Sequence, residues 1–276
     1  MQTLHTYLTN STRWSSFTIY KYKMGQYLSS YFYGTSTVTR PPVTHVIFDF
    51  DGIMIDSEIQ YSKAMKLCLE PHGKEFTLDQ KLKIMGRKKP EAIQCLIDFN
   101  DLSDKITLDE MLETYNGYLE DVLLDCPVLP GVQKLVSHLQ SHNIPMAICT
   151  GSDAEEFEQK TRKNLQHWLQ VIPNRVLAGS DPDVKEGKPA PDPYLCTFKR
   201  FTKQPESHAN CIVFEDSING AKAALEANME CILIPQAEFM CEETEKAIEE
   251  LRPRLADVLK SMEDFNPEHY SLPAFN

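Results

Sequence analysis

Short apolar runs that stop abruptly at a polar residue alternate, over much of this chain, with longer stretches in which apolar residues recur every three or four positions. Val46-Ile47-Phe48 stops at Asp49, Ile144 to Cys149 stops at Thr150, and Cys211-Ile212-Val213-Phe214 stops at Glu215-Asp216. Arg175 to Ala178 and Cys231 to Ile234 are two further short runs. Runs of this length, apolar without alternation, are the pattern of strands covered on both faces, as in parallel sheets. Between them lie helical patterns: Val132, Leu135, Val136 and Leu139 share one face, a helix is expected from about Ser152 to Leu169, another ends at Phe201, and Ala221 to Ala227 is a small-residue helix. Strand and helix in alternation predict βαβ units and an α/β fold with a doubly wound parallel sheet.

The stretch from Ser57 to about Pro130 breaks this alternation. Met65, Leu69, Ala92, Ile93, Leu96, Ile97, Leu108, Met111, Leu112, Tyr115 and Leu119 keep helical spacing, and no strand pattern of comparable strength intervenes. Placed directly after the first strand, residues 57–130 read as a helical cap domain inserted into a core made of residues 43–56 and 131–276. Pro130-Gly131 marks the return.

Composition narrows the picture. With 276 residues the chain can bury a sizeable core, and a net charge of −12 argues against nucleic acid or an anionic membrane surface as the main partner. Residues 1–42 contain four basic residues and no acid, so the remaining 234 residues carry −16. This Ser-, Thr- and Tyr-rich start fits a disordered tail or a mitochondrial transit peptide, and Met24-Gly25 opens an N-myristoylation pattern. The eight cysteines are scattered without a Cys-x-x-Cys pair, which suits reduced core thiols. No apolar run reaches the roughly 18 residues of a membrane span. The expected protein is a cytoplasmic monomer, or a mitochondrial one if residues 1–42 are a transit peptide.

In a parallel sheet the C-terminal strand ends share one edge, where ligands bind. Asp49, Asp51, Thr150, Glu215 and Asp216 therefore converge, with Lys188 in the loop Gly187-Lys188-Pro-Ala-Pro-Asp192. Carboxylates, one hydroxyl and one lysine suit a divalent cation and a phosphate. A carboxylate is ionised near neutral pH, so Asp49 can attack phosphorus unaided and form an aspartyl phosphate. Asp51 is placed to protonate the leaving oxygen and then to deprotonate the hydrolytic water. Asp49, Glu215 and Asp216 supply hard oxygen ligands for Mg²⁺. Lys188 and Thr150 can bind the oxygens of the transferring phosphoryl group. Gly151 beside Thr150, and Arg87 in the helical insert, are the expected substrate contacts. His138 and His142 have metal-pair spacing but no third ligand, and are expected on the solvent face of their helix.

Asp49-Phe-Asp51-Gly52, the strand-terminal Thr150, Lys188 in Gly-Lys-Pro-x-Pro-Asp and Glu215-Asp216-Ser-x-x-Gly220 together resemble the signature of the haloacid-dehalogenase-like hydrolases. The resemblance implies a Rossmann-like core, a helical cap after the first motif, and Mg²⁺ bound partly through the backbone carbonyl of Asp51. It also implies a phosphatase or phosphomutase, because family members that cleave carbon–halogen or carbon–phosphorus bonds lack the second aspartate. Met85-Gly-Arg87-Lys-Lys89, Phe214-Glu-Asp-Ser-x-Asn-Gly220 and Asp264-Phe-x-Pro-Glu268 extend the likeness over residues 43–276 to a branch that dephosphorylates pseudouridine 5′-phosphate or glycerol 3-phosphate. The expected substrate is a small phosphorylated metabolite, with pseudouridine 5′-phosphate foremost. Sugar phosphatase, phosphomutase and a catalytically retired binding protein are the alternatives.

Overall fold

Six parallel strands form one sheet in the order β3-β2-β1-β4-β5-β6. The strands are β1 (His45–Phe48), β2 (Met146–Thr150), β3 (Asn174–Leu177), β4 (Cys211–Glu215), β5 (Glu230–Leu233) and β6 (Asp257–Val258). The computed structural model describes residues 40–84, 89–163 and 165–275. The transit-peptide and myristoylation readings thus lie outside the described residues, apart from the last few positions of the 1–42 segment. Chain order reverses on either side of β1, whose neighbours are β2 and β4, so the switch point of the sheet falls at the end of β1.

The five apolar runs of the sequence become β1 to β5. The sixth strand and a helix at Glu242–Leu251 have no equivalent in the pattern reading. Both have physical reasons for being inconspicuous. β6 is two residues long at the sheet edge, and the helix buries only Ile248 and Leu251 of its ten residues behind an acidic first turn.

Alternate strand residues feed two layers of core. Val46, Phe48, Ile148, Ile212 and Phe214 face one side, and Ile47, Ala147, Cys149, Cys211 and Val213 the other. The stacking of Phe48 on Phe214, with ring centroids 5.4 Å apart, ties the two central strands together directly below the carboxylate-bearing ends. Cys68, Cys126, Cys149, Cys196, Cys211 and Cys231 are buried free thiols, as their placement in apolar runs suggested. Burial pushes the Cys149 and Cys211 thiols up to about 12, which makes them inert packing groups.

Between β1 and β2 run α1 (Glu58–Leu69), α2 (Leu78–Ile84), α3 (Lys89–Phe99), α4 (Leu108–Leu123) and α5 (Val132–Ser141). The first four fall within residues 57–130. α4 starts at a capping box: the Thr107 hydroxyl accepts from the Glu110 amide at 3.3 Å, and the Glu110 carboxylate accepts from the Thr107 amide at 2.8 Å. Its face of Met111, Tyr115, Leu119 and Val122 is buried, and α4 packs mainly against α1. The insert leaves and rejoins the rest of the chain side by side. Ile55 bridges Val128, the Asp56 amide donates to Pro127 at 2.9 Å, and Leu129 donates to Met54 at 3.1 Å.

One expectation for α5 needs correction. His138 is buried, not solvent-facing: its Nε2 lies 2.9 Å from the carbonyl of Pro273, and its ring packs on Phe275. The helical face it shares with Val132, Leu135 and Leu139 is covered by the C-terminal segment, which the periodicity of α5 alone does not reveal. Among the described residues, no helix is long and apolar enough to cross a membrane.

Candidate active site

The end of β1 turns sharply. Gly52 has φ +76°, and a Cβ there would come within 2.0 Å of Asp216 Oδ2. Both the left-handed backbone and the missing side chain are therefore needed for β1 and β4 to bring their carboxylates together. Gly220 does the same on the other side: a Cβ would fall 2.0 Å from the Glu215 carboxylate. Ser217 caps the helix Ile218–Glu226, its hydroxyl accepting from the Gly220 amide at 3.0 Å. That cap sets Gly220 against Glu215.

Lys188 joins the strand ends. Its Nζ donates to Asp49 Oδ1 at 2.6 Å, to Glu215 Oε1 at 2.6 Å and to the Cys149 carbonyl at 3.0 Å, so all three ammonium hydrogens are used. Tyr194, on the helix Asp192–Lys199, donates its hydroxyl to the same Glu215 oxygen from a fully buried position. Asp49 is 6% exposed and Glu215 0%. Burial pushes the Asp49 carboxyl up to about 7; the Lys188 ammonium opposes this and the Glu215 charge adds to it. Asp216 is raised well above the ordinary carboxylate range by burial and by Asp49 and Glu215.

Oxygen atoms of Asp49, Glu215 and Asp216 all lie within 4.8 Å of one another. Three carboxylates facing one lysine leave excess negative charge in a water-poor pocket, and every donor is a hard oxygen. This set fits a cation of the Mg²⁺ type. A second acidic group, Asp181 and Asp183 beside Cys196, is already paired with Arg200, whose Nη2 lies 2.6 Å from Asp183.

Asp51 belongs to a different network. Its Oδ1 accepts from Lys160 Nζ at 2.8 Å, and its Oδ2 from the Ser152 hydroxyl at 2.8 Å and the Thr150 hydroxyl at 3.3 Å. Burial alone would raise this carboxyl, but the Lys160 ammonium and its hydrogen bond hold it below the usual value. The two aspartates of one tripeptide are thus in opposite states, Asp49 pushed toward its acid and Asp51 toward its anion.

Of the residues singled out in the sequence, Asp49, Asp51, Thr150, Lys188, Glu215 and Asp216 are brought to one edge of the sheet. The Asp51 side chain stands apart from the three-carboxylate group. Gly151 sits exposed next to Thr150, with nothing within 4 Å of the place a side chain would occupy. Arg87 lies outside the described residues. Lys160, Ser152 and Tyr194 escaped the motif reading. For Lys160 a signal existed: on α6 (Ala154–Thr161) it shares the buried face of Phe157 and Thr161, at a position where a lysine is out of place. Tyr194 carried none beyond its closeness to the Lys188 loop.

Residues 46–234 match the family model described as haloacid dehalogenase-like hydrolase. The chain is 35% identical over 245 residues to (DL)-glycerol-3-phosphatase 1, mitochondrial, of Arabidopsis thaliana, covering 87% of this chain and 78% of that protein. It is 32% identical over 233 residues to a probable pseudouridine-5′-phosphatase of Drosophila melanogaster, covering 84% and 96%. Among solved structures, a putative β-phosphoglucomutase from Thermotoga maritima aligns with a TM-score of 0.65 at 25% identity, covering 83% of this chain and 97% of that one. The chain belongs to the haloacid dehalogenase-like hydrolases. Within that family it is an enzyme of the phosphatase class.

Proposed function

We propose that the protein is a Mg²⁺-dependent phosphomonoesterase that works through an aspartyl phosphate on Asp49. The observation that carries this reading is the pairing of the Asp49 carboxylate with Lys188 at 2.6 Å, at the end of the central strand, within reach of Glu215 and Asp216. In the first step an oxygen of Asp49 attacks phosphorus, the ester P–O bond breaks, and its electron pair leaves on the alcohol oxygen. The monoanion of the ester brings one proton, which Asp51 takes up on binding and hands to this oxygen. In the second step water attacks the phosphorus of the acyl phosphate, its proton passes to Asp51, and Asp49 is released with inorganic phosphate. Lys188 neutralises the nucleophile and an equatorial oxygen of the group in transfer, with Thr150 as a neighbouring hydroxyl donor. Asp49, Glu215 and Asp216, with the Asp51 carbonyl, would hold the Mg²⁺, which offsets the repulsion between carboxylate and phosphate.

The insert α1–α4 acts as a cap over this edge. Lys81 of α2 reaches Glu238 in the loop after β5 at 2.9 Å. A crevice of about 270 Å³ between α3, α4 and the start of α6 is lined by Lys89, Asn116, Asp153, Glu156 and Gln159, groups suited to binding the hydroxyls of a polar leaving group. The first substrate reading is pseudouridine 5′-phosphate, supported by the 32% identity to the Drosophila protein over 96% of its length. Glycerol 3-phosphate is the second reading, favoured by the 35% identity to the Arabidopsis enzyme. Comparing kcat/KM for the two, with fructose 1-phosphate and a bisphosphate sugar alongside, decides it: a preference of at least about tenfold for the nucleoside ester, or about 1.4 kcal/mol in transition-state binding, is expected. Preference for glycerol 3-phosphate would transfer the assignment.

Proton linkage gives an independent check on the cation. Because Asp49 is raised to about 7, a cation must displace protons at that pH. Mg²⁺ affinity should therefore rise from pH 6 to pH 8, with proton release visible when the same calorimetric titration is repeated in buffers of different ionisation enthalpy. A pH-independent affinity without proton release would place the ion elsewhere.

A further inference from the structure

Lys160 is 1% exposed, yet it carries a charge, on the helical face it shares with Phe157 and Thr161. Its Nζ is 2.8 Å from Asp51 Oδ1, 2.8 Å from the Ser152 hydroxyl, and 5.5 Å from the ring centre of Tyr61 on α1. Ser152 closes the ring by donating to Asp51 Oδ2 at 2.8 Å. A buried ammonium is costly to desolvate, and an apolar side chain of similar volume commonly serves stability as well or better. Packing therefore does not account for a lysine at this point. The geometry accounts for it through Asp51. The site has four carboxylates within a short span, and Lys188 takes Asp49 and Glu215. Without a second cation, Asp51 would be free to rotate toward Lys188 and compete for it. Lys160, with Ser152, pins both oxygens of Asp51 on the opposite side and sets them next to the helical insert through Tyr61.

We propose that Lys160 is a positioning residue for proton transfer: it fixes Asp51 apart from the nucleophile and in register with the insert that receives the leaving group. This rests on the aspartyl-phosphate reading above, in which Asp51 gives a proton to the departing oxygen and later takes one from water.

The test exploits leaving-group chemistry. For phosphoenzyme formation, an alkyl phosphate needs the leaving oxygen protonated, whereas p-nitrophenolate departs without help. The kcat/KM for both esters, which reports only the steps through departure of the alcohol, is measured for wild type, Lys160→Met, Lys160→Arg and Ser152→Ala. Lys160→Met should lower kcat/KM for the alkyl phosphate by roughly 100-fold, the low end of general acid–base effects, and that for p-nitrophenyl phosphate by less than about fivefold. Lys160→Arg should recover most of the alkyl activity, and Ser152→Ala should shift the ratio of the two in the same direction by a smaller factor. Equal losses on both esters, or none, would overturn the proposal. Should Lys160→Met fail to give a cooperative melt, Ser152→Ala carries the test, and an unchanged ratio in that variant would be equally decisive. If wild type hydrolyses neither ester, the phosphomonoesterase reading itself fails; if it hydrolyses both and the variants lose activity in parallel, only the role of Lys160 falls.

Discussion

Asp49→Asn is expected to lose at least about 10⁴-fold in phosphatase kcat, on the scale seen when a covalent nucleophile is removed, while melting no lower than wild type. The two outcomes come from one cause. An acid whose folded pKa stands above its ordinary value holds a proton that the unfolded chain gives up, so stability falls as pH rises from about 4 to about 7 and stays low above that. At pH 8 in metal-free buffer, Asp49 therefore costs the fold stability that asparagine would restore, and Lys188 keeps Glu215 as its partner. The expected Tm is equal to wild type at pH 4 and a few degrees higher at pH 8, given about 2–4 °C per kcal/mol for a chain of this size. An inactive Asp49→Asn protein that melted well below wild type at pH 8 would show that the carboxylate is a structural partner of Lys188, not a strained nucleophile.

Lys188→Met should act in the opposite sense on stability and the same sense on activity. It removes the one ammonium that, among the described residues, touches both Asp49 and Glu215. Uncovering one side of a buried pair costs about 3–5 kcal/mol, and losing a charge aimed at the transferring group costs about 10²–10³ in kcat. The variant should consequently gain more from the cation than wild type does. Added Mg²⁺ is expected to raise the Tm of Lys188→Met by more, and that of Asp49→Asn by less, than the wild-type increment, because at a given concentration a ligand stabilises the folded form more the tighter it binds it. A thermal-shift titration of the three proteins measures this, and equal increments in all three would mean that Mg²⁺ does not bind among these carboxylates.

Five of the six strands, their parallel arrangement and the convergence of Asp49, Asp51, Thr150, Lys188, Glu215 and Asp216 were readable in the sequence for one reason. A strand buried on both faces is written as an unbroken apolar run, so the first polar residue after it must stand at the sheet edge. Where burial is one-sided or brief, the signal fades, as in β6 and the helix Glu242–Leu251. The burial of His138 is not legible locally because its cover comes from Pro273 and Phe275, more than 130 residues away in the chain. The split of labour between the two lysines was also hidden. Lys188 sits in a motif, but Lys160 is one basic residue in a helix whose first turn is acidic, and only its register with Phe157 and Thr161 marks it as buried. Burial raises Asp49, with Lys188 opposing and Glu215 adding, while at Asp51 Lys160 outweighs burial; these contacts span up to 139 residues and no local pattern encodes them.

A phosphoryl group carried on Asp49 can be trapped chemically. Wild-type enzyme mixed with a turning-over phosphomonoester and quenched into borohydride should be reduced at the acyl phosphate, and peptide mass spectrometry should find homoserine in place of aspartate at position 49 and nowhere else. Active enzyme that yields no homoserine under conditions that reduce a model acyl phosphate, or yields it at Asp51 or Asp216, would contradict the account.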